Sequence, residues 1–206
     1  MRIGIFGGSF DPVHYGHLLL AETCRDQCPL DRVIFVPAAT PPHKRANTRT
    51  DADQRVEMLQ LAIGGHTGME VSTMEIDRGG ISYTVDTLQQ LKQTHPNDDL
   101  FFLMGADSLA DLACWRSPEE ICRLACPLVV RRAGSPEPNL EMLTEVVAEE
   151  RLEMIRNCQV EMPVIELSST AIRAAVEHGH SIRFQTPRAV EVYIQENGLF
   201  TSKEPT

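Results

Sequence analysis

Short apolar, β-branched runs alternate along the chain with longer stretches whose apolar residues recur at helical spacing. Residues 3–6, 33–36, 70–73, 100–104, 128–130 and 164–166 read as strands, and 16–27, 51–63, 84–94, 118–125 and 139–155 as helices. Two further helices, 169–178 and 187–196, close the chain. This alternation predicts an α/β fold: an open parallel sheet carrying helices on both faces. Leu100-Phe101-Phe102-Leu103-Met104 is apolar at every position, as a strand covered on both faces must be, and belongs at the centre of the sheet. No repeat or linker divides the chain, so residues 1–206 read as one domain with a small C-terminal helical part over residues 168–200. Within 139–155, Glu141, Glu145, Glu149 and Glu153 recur every four residues and mark a solvated helix face.

Composition narrows the class. With 206 residues, 42% hydrophobic and 23% charged, the chain can build a core, which excludes the disordered and fibrous classes. A net charge of -10 argues against nonspecific binding to nucleic acid or to an anionic membrane. An anionic ligand therefore needs a local set of donors working against the overall field. Lysine is scarce, with Lys44, Lys92 and Lys203 set against sixteen arginines. The longest uncharged apolar run, 124–130, falls far short of the roughly 20 residues that span a bilayer. Glycines at 4, 7 and 8 come too early for a signal-peptide apolar core, so the expected compartment is the cytoplasm. There the six cysteines are expected as free, buried thiols. Cys24/Cys28 and Cys122/Cys126 each fit one helix face, a spacing unlike a zinc knuckle.

The chemistry concentrates in Gly7-Gly8-Ser9-Phe10-Asp11-Pro12-Val13-His14-Tyr15-Gly16-His17, directly after the first strand. A glycine turn at the end of a parallel strand lets backbone amides approach a phosphate, and the next helix offers its positive N-terminus. The dinucleotide pattern GxGxxG is absent from this segment; His14 and His17 stand in its place, spaced to share one helix face. Two imidazoles can donate to phosphoryl oxygens. The alternative is a pair of capping or half-buried histidines. Gly16 between them has no side chain, so a ligand could lie against the backbone there.

Four other segments follow strand ends. Pro41-Pro42-His43-Lys44 places a lysine in a stiffened loop at the carboxyl end of the second strand, where open parallel sheets collect ligands. Ser82-Tyr83-Thr84 opens a helix, with Thr84 as its N-cap, and its amides could hold a carboxylate. Gly105-Ala106-Asp107 follows the central strand, and Trp115, the chain's one tryptophan, sits shortly beyond in a polar stretch, where a ring could stack on a flat heterocycle. Arg131-Arg132 closes the fifth strand, and neighbours on a strand face opposite ways. Finally Leu167-Ser168-Ser169-Thr170-Ala171-Ile172-Arg173 opens a helix with hydroxyls and amides that make an anion cup, Arg173 one turn in.

His-x-Gly-His after a first strand resembles the nucleotidylyltransferase superfamily, whose sheet is Rossmann-like, and GGSFDPVHYGH looks most like its bacterial nicotinate-nucleotide adenylyltransferases. The likeness extends over residues 3–200. It implies that His14, His17, Lys44 and Arg173 carry catalysis. It implies that Gly7, Gly8, Ser9, Phe10, Gly16, Gly105, Ser168, Ser169 and Thr170 bind ATP. It implies that Tyr83, Thr84, Asp107, Trp115 and Arg132 bind the mononucleotide, Trp115 by stacking and Asp107 through a ribose hydroxyl. Leu167 replaces the family's isoleucine, and Ala38-Ala39 lacks the asparagine that some relatives carry.

The reaction so implied joins ATP and nicotinate mononucleotide into nicotinate adenine dinucleotide and pyrophosphate, in NAD biosynthesis. No Ser-His-Asp or Cys-His set stands out, which suits direct in-line attack. The attacking phosphate, with a second pKa of about 6, needs no general base. Mg²⁺ is expected with ATP, bridging its phosphate oxygens, and no paired-carboxylate metal site is visible in the sequence. Small-molecule substrates are the expected partners. Three other readings stay open: the same transfer to nicotinamide mononucleotide, nucleotidyl transfer to phosphopantetheine or an alcohol phosphate, and a non-catalytic nucleotide sensor.

Overall fold

Six strands run parallel in one sheet: β1 (Arg2–Gly8), β2 (Arg32–Pro37), β3 (Met69–Val71), β4 (Asp99–Gly105), β5 (Cys126–Arg132) and β6 (Gln159–Met162), in the order β3-β2-β1-β4-β5-β6. The structure, a computed structural model, describes residues 1–40, 50–132 and 138–202, apart from the side chains of residues 107, 132 and 142. The sheet grows in one direction from β1 through β3, then restarts at β4 and grows the other way. Right-handed crossovers on such a path put helices on both faces, and the crevice between β1 and β4 becomes the switch point where open α/β sheets bind ligands. Ile5 pairs with Phe102 across that junction. Ile3, Ile5, Val33, Phe35, Leu103 and Leu128 lie in the buried core, as the continuous apolar runs require.

The connecting helices are α1 (Tyr15–Gln27), α2 (Ala52–Ile63), α3 (Met74–Arg78), α4 (Thr84–Thr94), α5 (Ala106–Asp111), α6 (Pro118–Leu124) and α7 (Glu149–Asn157). Two more, α8 (Ser169–Glu177) and α9 (Arg188–Glu196), form the C-terminal helical part. They fold back onto the carboxyl edge of the sheet rather than extending it. Helix α9 packs on α2, with the Tyr193 hydroxyl on Glu57 Oε2 at 2.9 Å. Among the described residues no helix is long and apolar enough to cross a membrane.

Several boundaries differ from the sequence reading. The sixth strand lies at Gln159–Met162, not 164–166: Val160 pairs with Val130 in the core, whereas Pro163 has no amide to continue the ladder and Val164 is exposed. The expected helix over 139–155 is instead one 3₁₀ turn at Glu141–Leu143 followed by α7. Thr144, Val146 and Val147 interrupt it, a β-branched cluster unfavourable to helix. Glu141 and Glu153 therefore share no helix. Helix α3 is too short to show a period. Cys122 lies on α6 but Cys126 starts β5, so this pair has no common helix face, whereas Cys24 and Cys28 are both buried at the end of α1. All six cysteines are free, with Cys114 exposed.

Candidate functional site

The chain leaves β1 through Gly7 and Gly8 into a turn packed from within. A Cβ on Gly8 would lie 3.0 Å from the Phe10 ring. Phe10 takes a left-handed φ of 50°, rare for a bulky residue. Its ring is held in place by Phe6, Phe35 and His17, with centroids at 5.3, 5.6 and 5.1 Å. Phe10 thus shapes the turn from the core. Gly105, the matching residue at the end of β4, begins α5, and a Cβ there would meet nothing within 4 Å.

His14 is the N-cap of α1 and His17 its third residue. Their rings stack at 3.7 Å and 20°. The His14 amide donates to His17 Nδ1 at 3.3 Å. With Nδ1 accepting, the neutral His17 ring carries its proton on Nε2. The pair therefore caps α1, and the cap itself sets the His17 tautomer. Gly16 also serves the packing of this pair. A Cβ there would stand 3.0 Å from the His14 ring, so glycine is needed for that imidazole's own packing.

His14 is buried, and its Nδ1 has no hydrogen-bond partner. Burial pushes its pKa down from 6.5 to about 4. The unfolded imidazole binds a proton below about pH 6.5, the folded one only below about 4. Between those values the unfolded chain holds more protons, so stability falls as pH drops through that window. The contribution amounts to about 3 kcal/mol at most, at about 1.4 kcal/mol per pH unit. In His14→Gln the fall in Tm between pH 6.5 and 4 is expected to be shallower than in the wild type; an equal fall would remove His14 as its source.

Helix α8 is stitched onto the same turn. Ser169 Oγ donates to Pro12 O at 2.9 Å, Arg173 Nη1 to Asp11 O at 2.6 Å, and Arg173 Nη2 to Thr170 Oγ1 at 3.3 Å. Ser168 caps the helix, its Oγ accepting from the Ala171 amide at 3.1 Å. Of the three hydroxyls expected in an anion cup, Ser169 thus donates within the protein, while Ser168 and Thr170 accept there and keep their own O–H. Thr186 Oγ1 on Val13 O at 2.8 Å and the Tyr15 amide on Gln185 O at 3.1 Å extend the seam. Gly7–Phe10, His14, His17 and 168–173, far apart in sequence, so converge at residues 11–15.

Across the crevice stands α4. Its N-cap is Tyr83, one position before the expected cap, and Thr84 is its first helical residue. The residues after β2 reach over to it: Ser82 Oγ accepts from the Ala39 amide at 2.9 Å, and the Ser82 amide donates to Thr40 O at 3.0 Å. A small crevice at the strand ends is lined by Gly7, Val36, Glu75, Thr84, Thr87 and Phe102. Trp115, half-buried, meets Phe102 edge-on at 5.9 Å. Arg116 lies over the Tyr83 ring at 4.7 Å and pairs with Asp86 at 3.4 Å. Arg131 pairs with Glu161 at 2.5 Å, so it is Arg131 that turns toward β6. The Asp107 and Arg132 side chains, and Lys44 with its Pro41-Pro42-His43 loop, lie outside the described residues.

Two residues of this neighbourhood carried no motif. Glu75 is buried beneath the 82–84 turn and accepts from Thr87 Oγ1 at 2.5 Å; burial raises its pKa, against the hydrogen bonds from Thr87 and Ser82. Arg55, on α2, is 1% exposed and donates to Ser9 O at 2.9 Å. Its signal in the sequence was a charge on an apolar stripe, since residues 55, 58, 59 and 63 share one helix face.

The cytidylyltransferase-like family matches residues 5–175. A probable nicotinate-nucleotide adenylyltransferase of Citrifermentans bemidjiense is 43% identical, over 97% of this chain and 98% of that one. One of Thermus thermophilus is 42% identical, over 97% and 100%. Among solved structures, the Plasmodium falciparum nicotinic acid mononucleotide adenylyltransferase complexed with NaAD superposes with a TM-score of 0.73 over 97% of each chain, at 18% identity. That last likeness speaks to the fold, while the first three reach the sequence itself. The chain belongs to the cytidylyltransferase-like family and, within it, to the nicotinate-nucleotide adenylyltransferases.

Proposed function

We propose that this chain transfers the adenylyl group of ATP to nicotinate mononucleotide, yielding nicotinate adenine dinucleotide and pyrophosphate in NAD biosynthesis. The observation that carries the reading is the seam in which Ser169 and Arg173 bond to Pro12 and Asp11, bringing the helix carrying Arg173 against the turn that leads into His14 and His17. A phosphate oxygen of the mononucleotide attacks the α-phosphorus of ATP, and the bond from that phosphorus to the bridging oxygen of the β-phosphate breaks. Pyrophosphate leaves with the bonding pair. The protein positions the reactants and stabilises the charge that develops.

In this reading the turn amides at Gly7, Gly8, Ser9 and Phe10, with Gly105 and the start of α8, take ATP. His17, His14, Arg173 and Lys44 surround the transferring phosphoryl. The α4 N-terminus at Tyr83 and Thr84 holds the pyridine carboxylate through its amides, Trp115 stacks on the ring, Asp107 binds a ribose hydroxyl, and Arg132 offsets the anionic charge. The described donors at this edge are imidazoles, a guanidinium, hydroxyls and amides, a set suited to phosphate oxygens rather than to a resident Mg²⁺, which takes carboxylates. Mg²⁺ belongs to the substrate, carried on the ATP phosphates. An acidic chain with free thiols fits the reducing cytoplasm.

The test is pyrophosphate release with ATP and Mg²⁺, comparing nicotinate mononucleotide with its nicotinamide counterpart. Strong preference for the acid supports both the reaction and the α4 carboxylate site. Comparable rates would remove the carboxylate selectivity, and no turnover with either would overturn the reaction. Trp115→Ala is expected to raise KM for the mononucleotide about 3- to 10-fold, the worth of one aromatic stack, and KM for ATP much less. Equal effects on both would exclude stacking on the mononucleotide.

A further inference from the structure

Among the described residues Arg55 is the one Arg or Lys that is buried from solvent. It occupies the apolar stripe of α2, where a leucine or methionine would pack at no desolvation cost. Burial lowers the pKa of the guanidinium, and the charges of Asp11 and Asp51 oppose that shift. A guanidinium nevertheless stays protonated. The group therefore sits as a fixed positive charge directly beneath the turn that follows β1.

Its bond to Ser9 O has a geometric consequence. In a planar trans peptide the N–H points opposite to the C=O. Holding the Ser9 carbonyl toward Arg55 at 2.9 Å turns the Phe10 amide away from α2. That orientation requires restraint, because Phe10 stands at a φ of 50°. Two residues on, Asp11 is 1% exposed and gathers further contacts. Its Oδ1 accepts from Thr50 Oγ1 at 2.5 Å, its Oδ2 lies 3.9 Å from Arg173 Nη1, and its main-chain oxygen takes the 2.6 Å bond from the same nitrogen. Arg55 from α2 and Arg173 from α8 thus grip one three-residue turn between them.

We propose that Arg55 is a positioning residue that fixes the Ser9–Asp11 turn and, through it, Arg173 for adenylyl transfer. The inference rests on the adenylyl-transfer reading of the site. Arg55 touches no substrate in this account; it acts through the peptide plane at Ser9 and through Asp11.

Arg55→Met is expected to fold and to lower kcat about 10- to 100-fold, the scale of a misplacement of about 1 Å, with KM for the mononucleotide changed less than about threefold. Arg55→Lys keeps the charge and one donor and is expected to come within about fivefold of wild type. In an Arg173→Ala background, adding Arg55→Met should cost less than about a further threefold, because the two act on one element. A folded Arg55→Met with kcat within about twofold of wild type, or a loss that multiplies in full with that of Arg173→Ala, overturns the proposal. Should Arg55→Met fail to fold, Arg55→Gln, which keeps a donor but not the charge, takes its place under the same criteria. If wild type itself shows no turnover with nicotinate mononucleotide, the reaction reading fails and the positional claim is judged separately. ATP with Mg²⁺ should then raise the Tm of Arg55→Met less than that of wild type, and an equal rise would overturn it.

Discussion

His17→Ala is expected to lower kcat about 10²–10³-fold, equivalent to about 3–4 kcal/mol of transition-state stabilisation. The ring's Nδ1 is committed to the His14 amide at 3.3 Å, so the neutral imidazole presents Nε2–H. That donor is fixed by the stack on His14 at 3.7 Å and by the edge contact with Phe10 at 5.1 Å. It needs no reorganisation when charge develops on the phosphoryl oxygens, which is the condition under which one donor is worth this much. The alanine variant should remain folded, because His17 is half-buried and the core beneath it is supplied by Phe6, Phe10 and Phe35. Steady-state pyrophosphate release measured alongside Tm checks both halves. Turnover near that of wild type in a folded variant would remove His17 from the reaction.

The parallel sheet and the central place of residues 100–104 were legible in the sequence because that run is apolar at every position and the strands are separated by helical periods. The same logic failed where periodicity was short or masked. Residues 159–162 alternate within a single polar–apolar stretch, and the neighbouring 164–166 looked as strand-like until the ladder stopped at Pro163. The five residues of α3 are fewer than two helical turns, so no period could reveal them. In the segment after β5, regularly spaced glutamates imitated a helix that Thr144, Val146 and Val147 break.

The site was legible where it is made of backbone and short motifs: the glycine turn, the paired histidines and the serine-capped α8. What the sequence hid was the purpose of some of those residues. Gly16 gave the same letter for ligand access and for His14 packing, and the 3.0 Å approach of the ring shows that packing by itself already requires glycine. Ser168 and Ser169, expected as phosphate donors, also cap α8 and bond Pro12, which the motif alone did not show. Arg55 and Glu75 reach the site only through tertiary contacts, to Ser9 O and Thr87 Oγ1 respectively. No local pattern specifies such contacts; a charge on an apolar stripe was the single hint.

Arg173→Ala is expected to reduce kcat by about 10²–10³-fold as well, and Arg173→Lys to recover little of it. The guanidinium divides its donors: Nη1 goes to Asp11 O at 2.6 Å and Nη2 to Thr170 Oγ1 at 3.3 Å, while Nε is buried without a partner. A lysine ammonium cannot span the first two positions and hold its charge in the same plane. Arg173 also staples α8 to the turn, so the charge has to be separated from the staple. Ser169→Ala removes the parallel bond to Pro12 O and leaves the charge in place. It should cost about 1 kcal/mol in stability, as one hydrogen bond does. Its loss of kcat should be much smaller than that of Arg173→Ala. If the two variants lose activity equally, α8 serves by docking alone and Arg173 has no role at the phosphorus. If the arginine variant falls far further at similar Tm, the charge itself acts on the transferring group.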